Sequence, residues 1–314
     1  MTKVYARAGF ALIASFMLAP AFFAFQQQSQ QVAPLARLQS NIERITRSVN
    51  AKWGIYIKCI ETGEEISINA DETMDTMSVI KIPLMVEVFR QIEDGKFALT
   101  DRVTLKDGEK RLGTGVIRSL DAGATLTIKD LITLMIIVSD NSATDMLFEK
   151  AGGTEPVNKL MQSYGLNTIK ATGPTEVWFK AIAAEPDRWK FHTEGKTPFG
   201  LSSPRDLGKL LEKIYKGEAV SKKASDLMLR IMRGQVYSSR LPKYVTGFGV
   251  PHKTGDFLPY VGNDVGMLES ANRHIVISAF TARHNGIGPN LEDAIGRIAE
   301  QVANFFAFRE SGTK

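Results

Sequence analysis

Between residues 35 and 48 apolar positions recur at helical spacing, and the pattern then switches to alternation over Trp53–Ile60 and Glu65–Asn69 around Glu61-Thr62-Gly63-Glu64. A period of two interrupted by a glycine-bearing turn predicts a β-hairpin. From Met77 to Glu93 the chain is apolar on nearly every side, with Val79, Ile80, Ile82, Leu84, Met85, Val88 and Phe89, and it stops at Asp94-Gly95. A helix without a polar face is a buried one. Further helices are predicted over 128–138, 143–151, 155–164, 203–215 and 221–232; the helix at 203 opens with an N-cap serine and a proline at the first helical position, Ser203-Pro204. Strand patterns return at 250–257, 263–269 and 274–281, and a helix over 291–308 follows.

Strands near both ends with helices between them put the two ends of the chain in one antiparallel sheet. The fold class is therefore α+β: an antiparallel sheet flanked by N- and C-terminal helices, with an inserted all-helical lobe. The sheet lobe covers about 35–70 and 233–314 and the helical lobe about 71–232, with a cleft expected between them. No internal repeat or low-complexity linker divides residues 26–314.

The first 25 residues follow other rules. Lys3 and Arg7 precede an apolar run from Ala8 to Phe25, broken at Pro20, before the polar stretch Gln26–Gln31. That is the layout of a signal peptide, with Ala19 and Ala21 suiting cleavage, and it predicts a periplasmic or secreted protein with no stable membrane association. Composition narrows the rest. A formal charge of +5, two units of which belong to this segment, is too small and too scattered to suggest a nucleic-acid partner. One cysteine, Cys59, forbids an internal disulfide, and the four histidines lack metal-ligand spacing, so neither metal nor cofactor is expected. A monomer acting on a small molecule is the default.

Three short motifs carry chemistry. Ser78 and Lys81 stand three residues apart, which on a helix puts both side chains on one face. A lysine in an apolar helix, near the helix N-terminus, has its positive charge disfavoured and can serve as a base. Ser139-Asp140-Asn141 lies between two predicted helices, where a cap is the plain structural reading. Lys253-Thr254-Gly255 lies in a strand pattern, and a glycine there allows another backbone or a ligand to come close.

In this order the three motifs resemble the Ser-x-x-Lys, Ser-Asp-Asn and Lys-Thr-Gly set of the class A serine β-lactamases and penicillin-binding proteins. The resemblance covers nearly all of the chain after the N-terminal segment, and it implies a β-lactam substrate. It makes Ser78 the acylated nucleophile and Lys81 its hydrogen-bonded activator. Ser139 would pass a proton to the departing nitrogen, and Asn141 would hold the substrate's amide side chain. Lys253 and Thr254 would bind its carboxylate, while the backbone N–H groups of Ser78 and Asp256 would receive the oxyanion.

Class A enzymes add a glutamate that activates the hydrolytic water. The stretch Thr175–Lys180, with Ala181-Ile182 and Pro186-Asp187-Arg188 after it, resembles the loop that carries this residue, and Glu176 takes its position. Lys180 stands where the family usually has asparagine, and Val177 where it often has a proline after a cis bond. Residues 189–200 read as an insertion. Arg240 suits either a carboxylate-binding role or a structural ion pair. Two alternatives follow from the same motifs: a DD-peptidase or other penicillin-binding protein that acylates and then deacylates slowly, and a non-catalytic β-lactam sensor or cell-wall-binding module.

Overall fold

The structure is a computed structural model that describes residues 34–184, 199–283 and 290–307. The N-terminal segment, Pro186-Asp187-Arg188 and most of the 189–200 stretch lie outside the described residues. A five-stranded antiparallel sheet runs in the order β2-β1-β10-β9-β8, from β1 (Lys52–Cys59), β2 (Glu65–Ile68), β8 (His252–Phe257), β9 (Val261–Glu269) and β10 (His274–Ala282). β1 therefore lies beside β10, with Lys52 opposite Ala282 and Cys59 opposite Ile275. This is the joining of the two chain ends that the strand pattern requires.

Alternation decides the layers. Ile55, Ile57, Cys59, Ile275 and Ile277 face one side, where helix α1 (residues 34–47) and the late helix Leu291–Ala307 bury them with Leu38, Ile42, Ile295 and Val302. Cys59 is a buried thiol in this layer. Val265, Met267, Val276 and Phe280 face the other side and join the core of the helical lobe. The helix Pro204–Lys216 crosses that face, and Gly208 is what lets it lie flat: a Cβ there would stand 2.4 Å from the Tyr56 ring.

At the centre of the lobe a 3₁₀ turn, Met77–Ile80, runs directly into α2 (Lys81–Glu93). Val79, Ile80, Ile82, Leu84, Met85, Val86 and Val88 are wholly removed from solvent. Burying each such side chain is worth about 1.5–3 kcal/mol, so α2 is held by its surroundings rather than by helix propensity. Around it pack α3 (Ile128–Ile137), α4 (Asn141–Ala151) and α5 (Thr154–Ser163), each within two residues of its predicted start.

Some elements have no counterpart in the pattern. β3 (Met74–Asp75), β6 (Lys170–Ala171) and β7 (Gly200–Ser202) form a small sheet, and β4 (Arg102–Thr104) pairs with β5 (Thr125–Thr127). Strands of two or three residues have no period to detect. The stretch expected to be a loop is the helix α6 (Thr175–Ala184), and its Glu176–Val177 bond is not cis.

The edge strand β8 lies against the turn before α2. A Cβ on Gly255 would meet the carbonyl oxygen of Thr76 at 2.4 Å and the amide nitrogen of Val79 at 3.1 Å. The glycine expected to admit a close backbone does so. Gly255→Ala should push the strand and the turn apart and lower stability by about 1–3 kcal/mol in urea denaturation; a variant as stable as its parent would show that this contact is not made.

Candidate active site

Ser78 stands half-buried in the 3₁₀ turn, on a backbone that is bent to present it. Met77, just before it, has a φ of +45°, a left-handed conformation that costs a non-glycine residue about 1–2 kcal/mol. The bend is held by the Asp75 carboxylate, which accepts the Met77 N–H at 2.8 Å, and by Asn263, whose side-chain amide donates to the Asp75 carbonyl at 2.8 Å.

Ser139 is bent in the same way, with a φ of +55°. Asp140 is the cap that its position implied, and it does more: Oδ1 accepts the Ala143 N–H of α4 at 3.0 Å, while Oδ2 accepts the Val116 and Ile117 N–H groups at 2.6 and 2.9 Å. One carboxylate thus starts α4 and fixes the loop opposite. Asn141 donates to the Leu112 carbonyl at 2.8 Å and accepts from Lys81 at 2.9 Å.

All three motifs meet at one hydroxyl. Lys81 Nζ donates to the Ser139 carbonyl at 2.8 Å and to Ser139 Oγ at 3.0 Å. Lys253 Nζ donates to the same Oγ at 3.1 Å and to the Thr254 carbonyl at 2.7 Å. Both lysines are fully buried. The expected hydrogen bond from Lys81 to Ser78 is not formed; its amine is engaged by Ser139 and Asn141 instead.

Burial is the main reason the Lys81 amine lies well below the ordinary lysine range, and the positive charge of Lys253 pushes it further down. Asp140 and Asp145 pull the other way. Burial likewise brings Lys253 down to about 7, against the opposing pull of Asp256 and Asp264 and with a further push from Arg240.

A cavity of about 490 Å³ opens over this cluster. Ser78, Ser139, Asn141, Thr254 and Asp256 line it, and Trp178, Phe179, Phe199, Tyr237 and Phe257 give it an aromatic wall. Trp178 stacks edge-on against Phe179 and Phe257, with ring centroids 5.0 and 5.2 Å away. The signal for this wall was present in the helical spacing of Trp178, Phe179 and Ile182.

Glu176 does not line the cavity. Its carboxylate is 42% exposed and reaches Lys180 Nζ at 2.6 Å and Arg111 Nη2 at 3.2 Å. Lys180 foremost, with Arg111 beside it, holds the carboxyl below the ordinary glutamate range. Arg111 is anchored in turn by Asp145 at 2.7 Å. The other contacts of Asp145 explain why residues 175–184 are helical: its carboxylate accepts the Thr175 N–H and hydroxyl at 2.7 and 2.8 Å and the Glu176 N–H at 3.1 Å. This cap comes from α4, so no local motif announces it, and Arg111 carries no sequence signal either.

Arg240 is 2% exposed, not a surface residue; it donates to the Asn263 carbonyl at 2.7 Å and pairs with Asp256. Among the described residues no cluster of three or more metal-ligating side chains exists, and no helix is long and apolar enough to cross a membrane.

Against this geometry, the sequence profile described as the β-lactamase enzyme family matches residues 37–306. The chain belongs to that family. It is similar to β-lactamase VEB-1 of Pseudomonas aeruginosa, with 26% identity over 284 residues, covering 86% of this chain and 90% of that protein. Among solved structures, the β-lactamase from Sphaerobacter thermophilus superposes with a TM-score of 0.72 at 29% identity, covering 86% of this chain and 95% of that one. A point mutant of PBP-A, solved as an acyl-enzyme complex with penicillin G, superposes with a TM-score of 0.74 at 28% identity, covering 87% of this chain and 97% of that one. The fold is that of the serine β-lactamases, and family membership supports β-lactam hydrolysis in general.

The buried lysines make stability depend on pH. Lys253 has a folded pKa near 7, below its unfolded value in the ordinary lysine range, so between the two the unfolded chain binds more protons and stability rises with pH. Urea denaturation should find the wild type gaining stability from about pH 6.5 to 9 relative to Lys253→Met. A gap between the two proteins that stays constant across that range would contradict the assignment.

Proposed function

We propose that this protein hydrolyses β-lactams through an acyl-enzyme on Ser78, with Glu176 governing how quickly that intermediate is cleared. The observation that carries the reading is the convergence of two fully buried lysines on the Ser139 hydroxyl, beside a half-buried serine at the mouth of a buried helix. Burial and the charge of Lys253 disfavour the ammonium form of Lys81 and so favour its neutral amine. Such an amine has two protons, for the Ser139 carbonyl and Asn141, and a lone pair towards Ser139 Oγ. The Ser139 hydroxyl can then donate to Lys81, and Ser139 becomes a relay.

Ser78 Oγ attacks the lactam carbonyl and gives its proton to this relay. The oxyanion is received by the backbone N–H groups of Ser78 and Asp256, the latter on edge strand β8, where alternate amides face outward. The carbon–nitrogen bond breaks as Ser139 hands a proton to the ring nitrogen, and Lys81 restores it. Thr254, at the cavity wall with Lys253 buried behind it, marks the end of the site where a substrate carboxylate would lie. Asn141 keeps one amide proton beyond its bond to Leu112 for the substrate's acylamino group. The reading includes export by the N-terminal segment and action as a monomer; sequencing the N-terminus of the mature protein would test the first.

Release requires a water activated by Glu176. Both of its carboxylate oxygens are tied to cations outside the cavity, so the group must turn away from Lys180 and Arg111 to serve. This favours the second reading, a penicillin-binding protein that acylates and stalls. The likeness to a PBP-A variant solved as an acyl-enzyme agrees with it.

Mass spectrometry of protein mixed with penicillin G separates the two. Wild type should form an adduct that decays, Ser78→Ala should form none, and Glu176→Gln should slow decay by about 10²–10⁴-fold, the usual contribution of a general base. An adduct that persists for hours in the wild type favours the penicillin-binding protein. Unchanged turnover in Glu176→Gln removes that residue from the mechanism.

A further inference from the structure

Of the described side chains that line the cavity, Asp256 alone carries a formal charge, and it is negative. Lys81 and Lys253 are fully buried and direct their side-chain nitrogens to Ser139, with Lys253 also bound to the Thr254 carbonyl. Behind Asp256, two residues beyond Thr254, lies the Arg240 guanidinium, and Asp256 pairs with it. The guanidinium donates to the Asn263 carbonyl at 2.7 Å, pairs with Asp256 and lies 3.4 Å from Glu292. An anion arriving beside Thr254 therefore meets the Asp256 carboxylate, 41% exposed, before it meets Arg240, which is 2% exposed.

We propose that Asp256 is a specificity-determining residue: an internal carboxylate that occupies Arg240 in place of the substrate's own. This rests on the β-lactam reading and refines its substrate class. The site gains little from a free carboxylate beside the lactam ring and accepts β-lactams in which that group is uncharged, such as esters, nearly as well as the acids. Recognition shifts to the apolar part of the substrate, to which Trp178, Phe179 and Phe199 offer a wall suited to a large aromatic acyl group.

The test compares acylation rates, read by mass spectrometry or stopped-flow, for penicillin G and its methyl ester. In the wild type the acid-to-ester ratio should lie within about tenfold of one. Asp256→Asn keeps the shape of the side chain and removes its charge, so the ratio should rise roughly ten- to hundredfold, the effect of one unit charge at ~6 Å in a partly screened site. A wild-type ratio above about a hundred overturns the proposal without any variant, and so does an Asp256→Asn ratio that stays the same or falls. If neither compound modifies Ser78 in either protein, the β-lactam reading falls and the proposal with it. Reaction of both compounds with an unmoved ratio leaves that reading standing and removes only the role of Asp256.

Discussion

Two lysine side-chain nitrogens held out of water within hydrogen-bonding distance of one hydroxyl oxygen are a costly arrangement, and much of this fold can be understood as what sustains it. Lys81 is delivered by a helix buried on all sides, Lys253 by the edge strand of the sheet, and Ser139 by a left-handed turn between two helices. Each on its own would relax: a lysine would reach for solvent and a serine would leave the left-handed region. The packing of α2 and the Asp140 cap prevent both. The strain is kept where the proton traffic is proposed to occur, and the surrounding burial offsets it.

The second layer of the site is a matter of charge balance. Asp256 and Asp264 support the Lys253 cation while Arg240 opposes it, and His252 packs against Asp264 with Nδ1 2.9 Å from Oδ1. On the opposite wall, Arg111 and Lys180 hold Glu176 between them. Acidic and basic side chains at the cavity edge are thus paired with one another. Apart from Asp256, the lining is left to hydroxyls, amides, aliphatic groups and aromatic rings.

Much of the architecture is legible in the residue pattern because it rests on period. The buried helix at 81–93, the strands that bring the chain ends together and the capped helix at 204 all follow from spacing and capping chemistry that act within one element. The motif serines, lysines and Asn141 come together as their order implies. What the pattern does not disclose depends on contacts between distant segments. The small sheet of β3, β6 and β7 has no alternation to read. Lys81 bonds to Ser139 and Asn141, 58 and 60 residues further on, rather than to Ser78 three residues before it. Glu176 is tied to Lys180 one turn along its own helix and also to Arg111, which lies far off in sequence, and the Asp256–Arg240 pair joins a strand to a segment without regular structure.

The cap that Asp145 provides for α6 has a consequence for the order of events in folding. A helix of ten residues is marginal alone, and the first amides of this one bond to a carboxylate on α4, thirty residues earlier. The aromatic wall of the cavity therefore cannot acquire its final form until α4 has formed and docked. In native-state hydrogen exchange α6 should belong among the cooperative units that open at lower free energy than the central helix. The substrate-facing wall would then close last during folding and open first near denaturing conditions, while the buried lysines beneath it stay assembled.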